Sequence, residues 1–180
     1  MEECMKRQFL AFFLAFAGFM SLRAATVSVL VVEAGLPPGN GCTPSAEVWE
    51  SGMMDVFFDA GHIVSNAPCL QIDEAAGTGK AARNALPPEV NHDFDEARLG
   101  GADFFVLVFL NYAGGMYTAD AEEYPVECPK EVFIQVYSVS SGSLLYEVSV
   151  NARTWGSFDE EFLDAKRNAG KVVPQLVKKG

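Results

Sequence analysis

The hydrophobic pattern of the chain opens with an uninterrupted run. Phe9 to Met20 (FLAFFLAFAGFM) carries no charged side chain and follows a basic stretch with Lys6 and Arg7. About a dozen apolar residues behind a basic lead make the pattern of a secretory signal, and they are too few for a comfortable membrane span. Ala24 and Ala25 then offer small residues for cleavage, with Leu22 or Arg23 at the third position back. Residues 1–25 therefore read as a signal peptide, with an uncleaved amino-terminal membrane anchor as the alternative. A lipid anchor is not expected: the lipidated Cys would have to follow the apolar run directly, whereas Cys4 precedes it and Cys42 lies far beyond.

After this run the period changes repeatedly. Thr26 to Glu33 (TVSVLVVE) is β-branched and apolar on both faces, the pattern of a buried central strand. Thr43 and Pro44 mark a helix start, and Val48, Trp49, Gly52, Met53, Val56, Phe57 and Ala60 recur at helical spacing until Gly61. His62 to Ser65 reads as a short strand, and residues 66–87, rich in Ala, Gly, Pro and Asn, show no clear period. Pro88 to Leu99 predicts a helix with Val90, Phe94 and Ala97 inward. Asp103 to Tyr112 (DFFVLVFLNY) is the most apolar segment beyond the signal and should form the sheet centre.

Glu131 to Val139 and Leu144 to Thr154 flank Ser140-Ser141-Gly142-Ser143, a hairpin connection of common length. In the second of these strands apolar residues alternate with Glu147, Ser149, Asn151 and Arg153, which suits an edge with one wet face. A closing helix spans about Phe158 to Lys178, with Pro174 expected to kink or end it. Residues 26–180 thus form one α/β domain of order β-α-β-α-β-β-β-α. Its mixed sheet has about five strands, the last three antiparallel, and its helices pack on the sheet.

Charge narrows the partners. Of 13 basic and 24 acidic side chains, Lys6, Arg7, Arg23, Glu2 and Glu3 belong to the signal, which leaves 10 basic and 22 acidic. Such a surface repels a phosphate backbone, so nucleic acid is not an expected partner. Three cysteines remain beyond the signal, Cys42, Cys69 and Cys128, and an oxidising compartment permits two of them to pair. Their positions near loops leave the pair open.

No motif assembles a catalytic site. Gly77-Thr78-Gly79-Lys80 resembles the end of a phosphate-binding loop, but Glu74 stands where the earlier Gly is needed and Ala81 where Ser or Thr is needed. His62 and His92 lack metal-ligand spacing, although acids lie near His92. They carry the alternative of a hydrolase or metal-dependent enzyme. Asp120, Glu122, Glu123 and Glu127 supply hard oxygen ligands in one loop without calcium-loop spacing, and are the weak metal candidates. Trp49, Tyr112, Tyr117 and Trp155 would line the pocket of a small-ligand carrier, although aromatics at such positions are more often core. No cofactor is expected.

The segments TVSVLVVEAG, WESGMMDVFFDAGHIVSN and GGADFFVLVF, followed by a hairpin and a helix, give a layout that resembles the TolB amino-terminal and CsgG-like group of bacterial envelope proteins, which includes activators of penicillin-binding proteins. That resemblance spans most of residues 26–178 and implies a non-enzymatic role, docking to another envelope protein or assembling into an outer-membrane complex; the expected partner is an envelope protein or a further copy of the chain in a homo-oligomer. It transfers no functional residue. The chain departs from the group in lacking a lipobox and in carrying three cysteines beyond the signal. An exported, periplasmic binding or envelope-assembly protein is the resulting expectation.

Overall fold

The computed structural model describes residues 24–36, 41–72, 86, 88–112, 129, 131–151, 155 and 157–176. Its strands are β1 (Thr26–Ala34), β2 (Ile63–Asn66), β3 (Leu70–Ile72), β4 (Phe104–Asn111), β5 (Glu131–Ser138) and β6 (Leu144–Asn151). The helices are α1 (Pro44–Asp59), α2 (Asn91–Leu99), entered through a 3-10 turn at Pro88–Val90, and α3 (Phe158–Leu176). The export-signal reading of residues 1–25 falls almost wholly outside the described residues.

The sheet has six strands in the order β2-β1-β4-β5-β6, with β3 in line with β2 along the outer side of β1. β1 runs parallel to β2, β3 and β4. β4, β5 and β6 then form the expected antiparallel meander. β1 and β4 are central because both are apolar on both faces, and helices cover each face. Val27, Val29 and Val31 pack with Trp49, Met53 and Phe57 of α1 and Ala165, Ala169 and Val172 of α3. Leu30, Val32, Phe105 and Leu107 face the other way, with Phe94 and Ala97 of α2.

β3 is an addition to the sequence reading, which left residues 66–87 without an element. Three residues are too short to show a period of two, and what makes Leu70–Ile72 a strand is the side of β1 away from β4, which β2 leaves uncovered from Val32 to Ala34. Gly61 ends α1 at φ +85°, as expected of a left-handed terminator, but Ala60, read as inward, is exposed. Pro174 lies inside α3, two residues before its described end. No helix among the described residues is long and apolar enough to cross a membrane.

The helix pair α1 and α3 crosses at a glycine. A Cβ on Gly52 would lie 2.8 Å from Ala165 Cβ and 3.4 Å from the Lys166 amide, so the spacing is set by the missing side chain. Gly52→Ala is expected to lower stability by about 1–3 kcal/mol through overpacking, despite its gain in helix propensity. Thermal melts should show the loss, and Gly52→Ala combined with Ala165→Gly should cost less than the two single changes added together.

Candidate functional site

Among the described residues, several polar groups converge at the carboxyl end of β1. Glu33, the penultimate residue of β1, has 0% of its surface exposed. Strand alternation turns it towards α1, where the chain has just made the helix start at Thr43. Glu33 Oε1 accepts from Thr43 Oγ1 and, at 3.2 Å, from the Tyr112 hydroxyl. Oε2 accepts from the Thr43 backbone N–H at 3.0 Å and from Gln71 Nε2 at 3.4 Å. Gln71 is also the register partner of Glu33 across β1 and β3 and donates to the Gly41 carbonyl at 2.6 Å.

This arrangement explains two local departures. Thr43 stands at the cap position of α1, yet its hydroxyl makes no cap bond, because it is engaged with Glu33. Burial, with the Glu33 carboxylate second, pushes the Tyr112 phenol far above its usual range, so it stays a donor. With two donors on each oxygen, Glu33 is arranged as an acceptor that positions its neighbours rather than as a base open to a substrate proton.

A disulfide closes one side of the cluster. Cys42 and Cys69 are bonded, with Cα atoms 6.2 Å apart and a sequence separation of 27, and this settles which two of the three cysteines pair. Cys128 lies outside the described residues. The bond joins the residue before Thr43 to the residue before β3, and closing a loop of this length contributes about 3–4 kcal/mol on the chain-entropy account. Glu33, Cys42 and Cys69 place one ligand atom each within 4.8 Å of one another. While the sulfurs are bonded to each other neither is a thiolate, the form that ligates metal.

A second buried carboxylate flanks the same helix start. Glu161 of α3, also 0% exposed, accepts from Ser45 Oγ and from Trp49 Nε1, both at 3.0 Å. Next along α3, Asp164 accepts from Trp155 Nε1 at 3.2 Å and from Arg167 at 2.8 Å. Two acids beside the first turn of α1 are placed where the helix dipole favours negative charge.

The sequence candidates distribute as follows. Trp49, Tyr112 and Trp155 are buried core residues, and the Trp49 and Trp155 rings meet edge to face with centroids 6.2 Å apart. Their polar tips serve Glu161, Glu33 and Asp164, so the ligand-lining reading does not describe them. Tyr117, the Gly77–Lys80 segment and Asp120, Glu122, Glu123 and Glu127 lie outside the described residues. His62 and His92 are on different elements. His92 is exposed in the first turn of α2, whereas His62 is buried in the turn between α1 and β2. His62 Nδ1 accepts from the Ala25 amide at 3.3 Å, its Nε2 has no described partner, and burial lowers its pKa. Glu33, Gln71 and Glu161 were not singled out from the sequence, and Thr43 was read only as a helix start. The signal available was a lone acid ending an otherwise apolar strand.

No family model matches the chain, and no curated protein matches it. Solved structures of similar layout include a PelC dodecamer from Paraburkholderia phytofirmans, 17% identical over 88% of this chain and 91% of that one, with a TM-score of 0.43. Others are the competence damage-inducible protein A (ComA) from Klebsiella pneumoniae subsp. pneumoniae (10% identity, 92% and 94% coverage, TM-score 0.45) and lipoprotein GNA1162 from Neisseria meningitidis (11% identity, 83% and 99% coverage, TM-score 0.41). Likeness this distant transfers neither residues nor activity.

Two outcomes follow from the cluster. Tyr112→Phe removes one of four contacts to Glu33 and should cost about 1 kcal/mol, whereas Glu33→Ala takes the acceptor from the Thr43 amide and from one of the Thr43 and Tyr112 hydroxyls, which lie 3.1 Å apart, and should cost about 3 kcal/mol or more, both read from urea midpoints. For His62, the folded pKa lies below the unfolded value of about 6.5, so the unfolded chain binds more protons across that window. Stability is expected to fall as pH drops below about 6.5. His62→Gln should flatten that part of a melting-temperature profile.

Proposed function

We propose that this chain is an exported, non-catalytic binding or assembly module of the cell envelope that docks another protein through the β2 edge of its sheet. The observation that carries the reading is this edge. Among the described residues β2 is the terminal strand, and Phe58 and Ile63, which bracket the turn into it, are 73% and 61% exposed. Large apolar side chains beside an open ladder of backbone donors and acceptors suit a protein surface.

Export is supported by the basic and apolar amino-terminal pattern together with the Cys42–Cys69 bond, because such bonds persist in oxidising compartments. The non-catalytic part is supported by the engagement of Glu33 and Glu161 in holding α1 in place. Docking is also what the resemblance to the TolB amino-terminal and CsgG-like group implies. The acidic surface favours a protein partner over nucleic acid.

The native mass of the protein in gently solubilised envelope extracts tests the reading. A mass well above the monomer is expected, and Phe58→Glu with Ile63→Glu should weaken the assembly at least tenfold while changing stability by no more than about 0.5 kcal/mol. Recovery of the unaltered protein as a lone monomer at native abundance would count against docking.

A further inference from the structure

We propose that the export signal is cut between Ala24 and Ala25, so that the working chain starts at Ala25 with its α-amino group against His62. The proposal rests on the export reading above and ends the signal one residue before the 1–25 boundary: the fold excludes a start beyond Ala25, and the chemistry of the cut then selects the bond.

The first feature is the fold. Ala24 is exposed, whereas Ala25 is only 7% exposed and its methyl group belongs to the core beneath α1. The Ala25 carbonyl accepts from the Ile63 amide at 2.9 Å, which extends the pairing of β1 with β2 by one residue. Its amide donates to His62 Nδ1 at 3.3 Å. A chain starting at Thr26 would leave the Ile63 amide without this acceptor. It would also remove the described partner of a buried imidazole whose Nε2 already has none. Unmet buried donors and acceptors are costly. A chain starting at Ala25 keeps every one of these bonds, and the exposed Ala24 lies on the discarded side.

The second feature is the chemistry of the cut. Signal peptidases prefer small, uncharged residues at the first and third positions before the bond. Cutting after Ala24 places Leu22 at the third position, whereas cutting after Ala25 places the charged Arg23 there. Leu22 is larger than preferred but carries no charge.

In the reaction water is the co-reactant and the C–N bond of Ala24–Ala25 breaks. The water oxygen goes to the Ala24 carbonyl carbon, which departs as a carboxylate, and both water protons end on the Ala25 nitrogen when the amine is protonated. The freed amine, with a typical pKa near 8, is largely protonated at neutral pH. It keeps a proton to donate to His62 Nδ1, which requires the imidazole to be neutral and protonated on Nε2. The next residue completes the start of the strand, since the Thr26 amide donates to Asp103 Oδ2 at 2.9 Å and its carbonyl accepts from the Asp103 amide at 2.8 Å.

Intact mass and amino-terminal sequencing of the protein recovered from the exported fraction of its host test the assignment. A chain beginning at Ala25 is expected. A start at Thr26 or at any other residue overturns the inference while leaving export standing, and a full-length chain confined to the cytoplasm overturns both. Ala24→Phe in the full chain should reduce the Ala25-starting form at least tenfold. Undiminished production of that form overturns the assignment. Deleting Ala25 from the full chain should yield an exported protein starting at Thr26 that melts about 2–4 °C lower. An unchanged melting temperature would remove the structural reason for the choice.

Discussion

The carboxylate of Glu33 holds β1, the start of α1, β3 and the end of β4 in one place, because its oxygens accept from Thr43, Tyr112 and Gln71 in a region closed to water. A buried charge is tolerated only with such a set of partners, since the desolvation cost is several kcal/mol. The same cost makes the arrangement selective. A slip of β3 against β1 would take Gln71 away from Glu33, and a different start for α1 would remove both contacts from Thr43. The disulfide between Cys42 and Cys69 constrains the same two junctions covalently.

The rest of the α1 face follows from that fixed start. Ser45 and Trp49, one and two turns into the helix, meet Glu161, so α3 is held by polar contacts at one end of the crossing. Gly52 against Ala165 then lets the two helices approach closely, and Asp55 pairs with Lys166 at 3.2 Å on the outside. That exposed pair contributes little. The opposite face is covered by the shorter α2, whose Phe94 meets Phe105 and Tyr137 edge to face. Burial, aided by Glu147, pushes the Tyr137 phenol up to about 12, so its hydroxyl remains a donor to Gln135.

Stability and the proposed docking thus draw on different parts of the molecule. The converging acids are spent on the junction of β1, α1 and α3. The apolar groups left outside, Phe58 and Ile63, lie at the other end of α1 beside the terminal strand. Substitutions at that edge are therefore separable from the buried polar network, because they share no partners with it.

Periodicity alone determined the two-faced strands β1 and β4, the antiparallel meander, the faces of α1 and α2, and the terminating role of Gly61, because each rests on side-chain alternation or on backbone conformation local to a few residues. Tertiary structure alone decided β3, since Leu70–Ile72 becomes a strand only by adding to β1. It also decided the pairing of Cys42 with Cys69, which sequence spacing left open among three. The buried faces of Glu161, Asp164 and Asn168 on α3 were equally hidden, because polar residues at helical spacing read as solvated until tryptophan and serine donors from other segments reach them. Glu33 stood in the sequence as one acid at the end of an apolar strand, and only the fold brought its donors from positions 43, 71 and 112 to a single carboxylate.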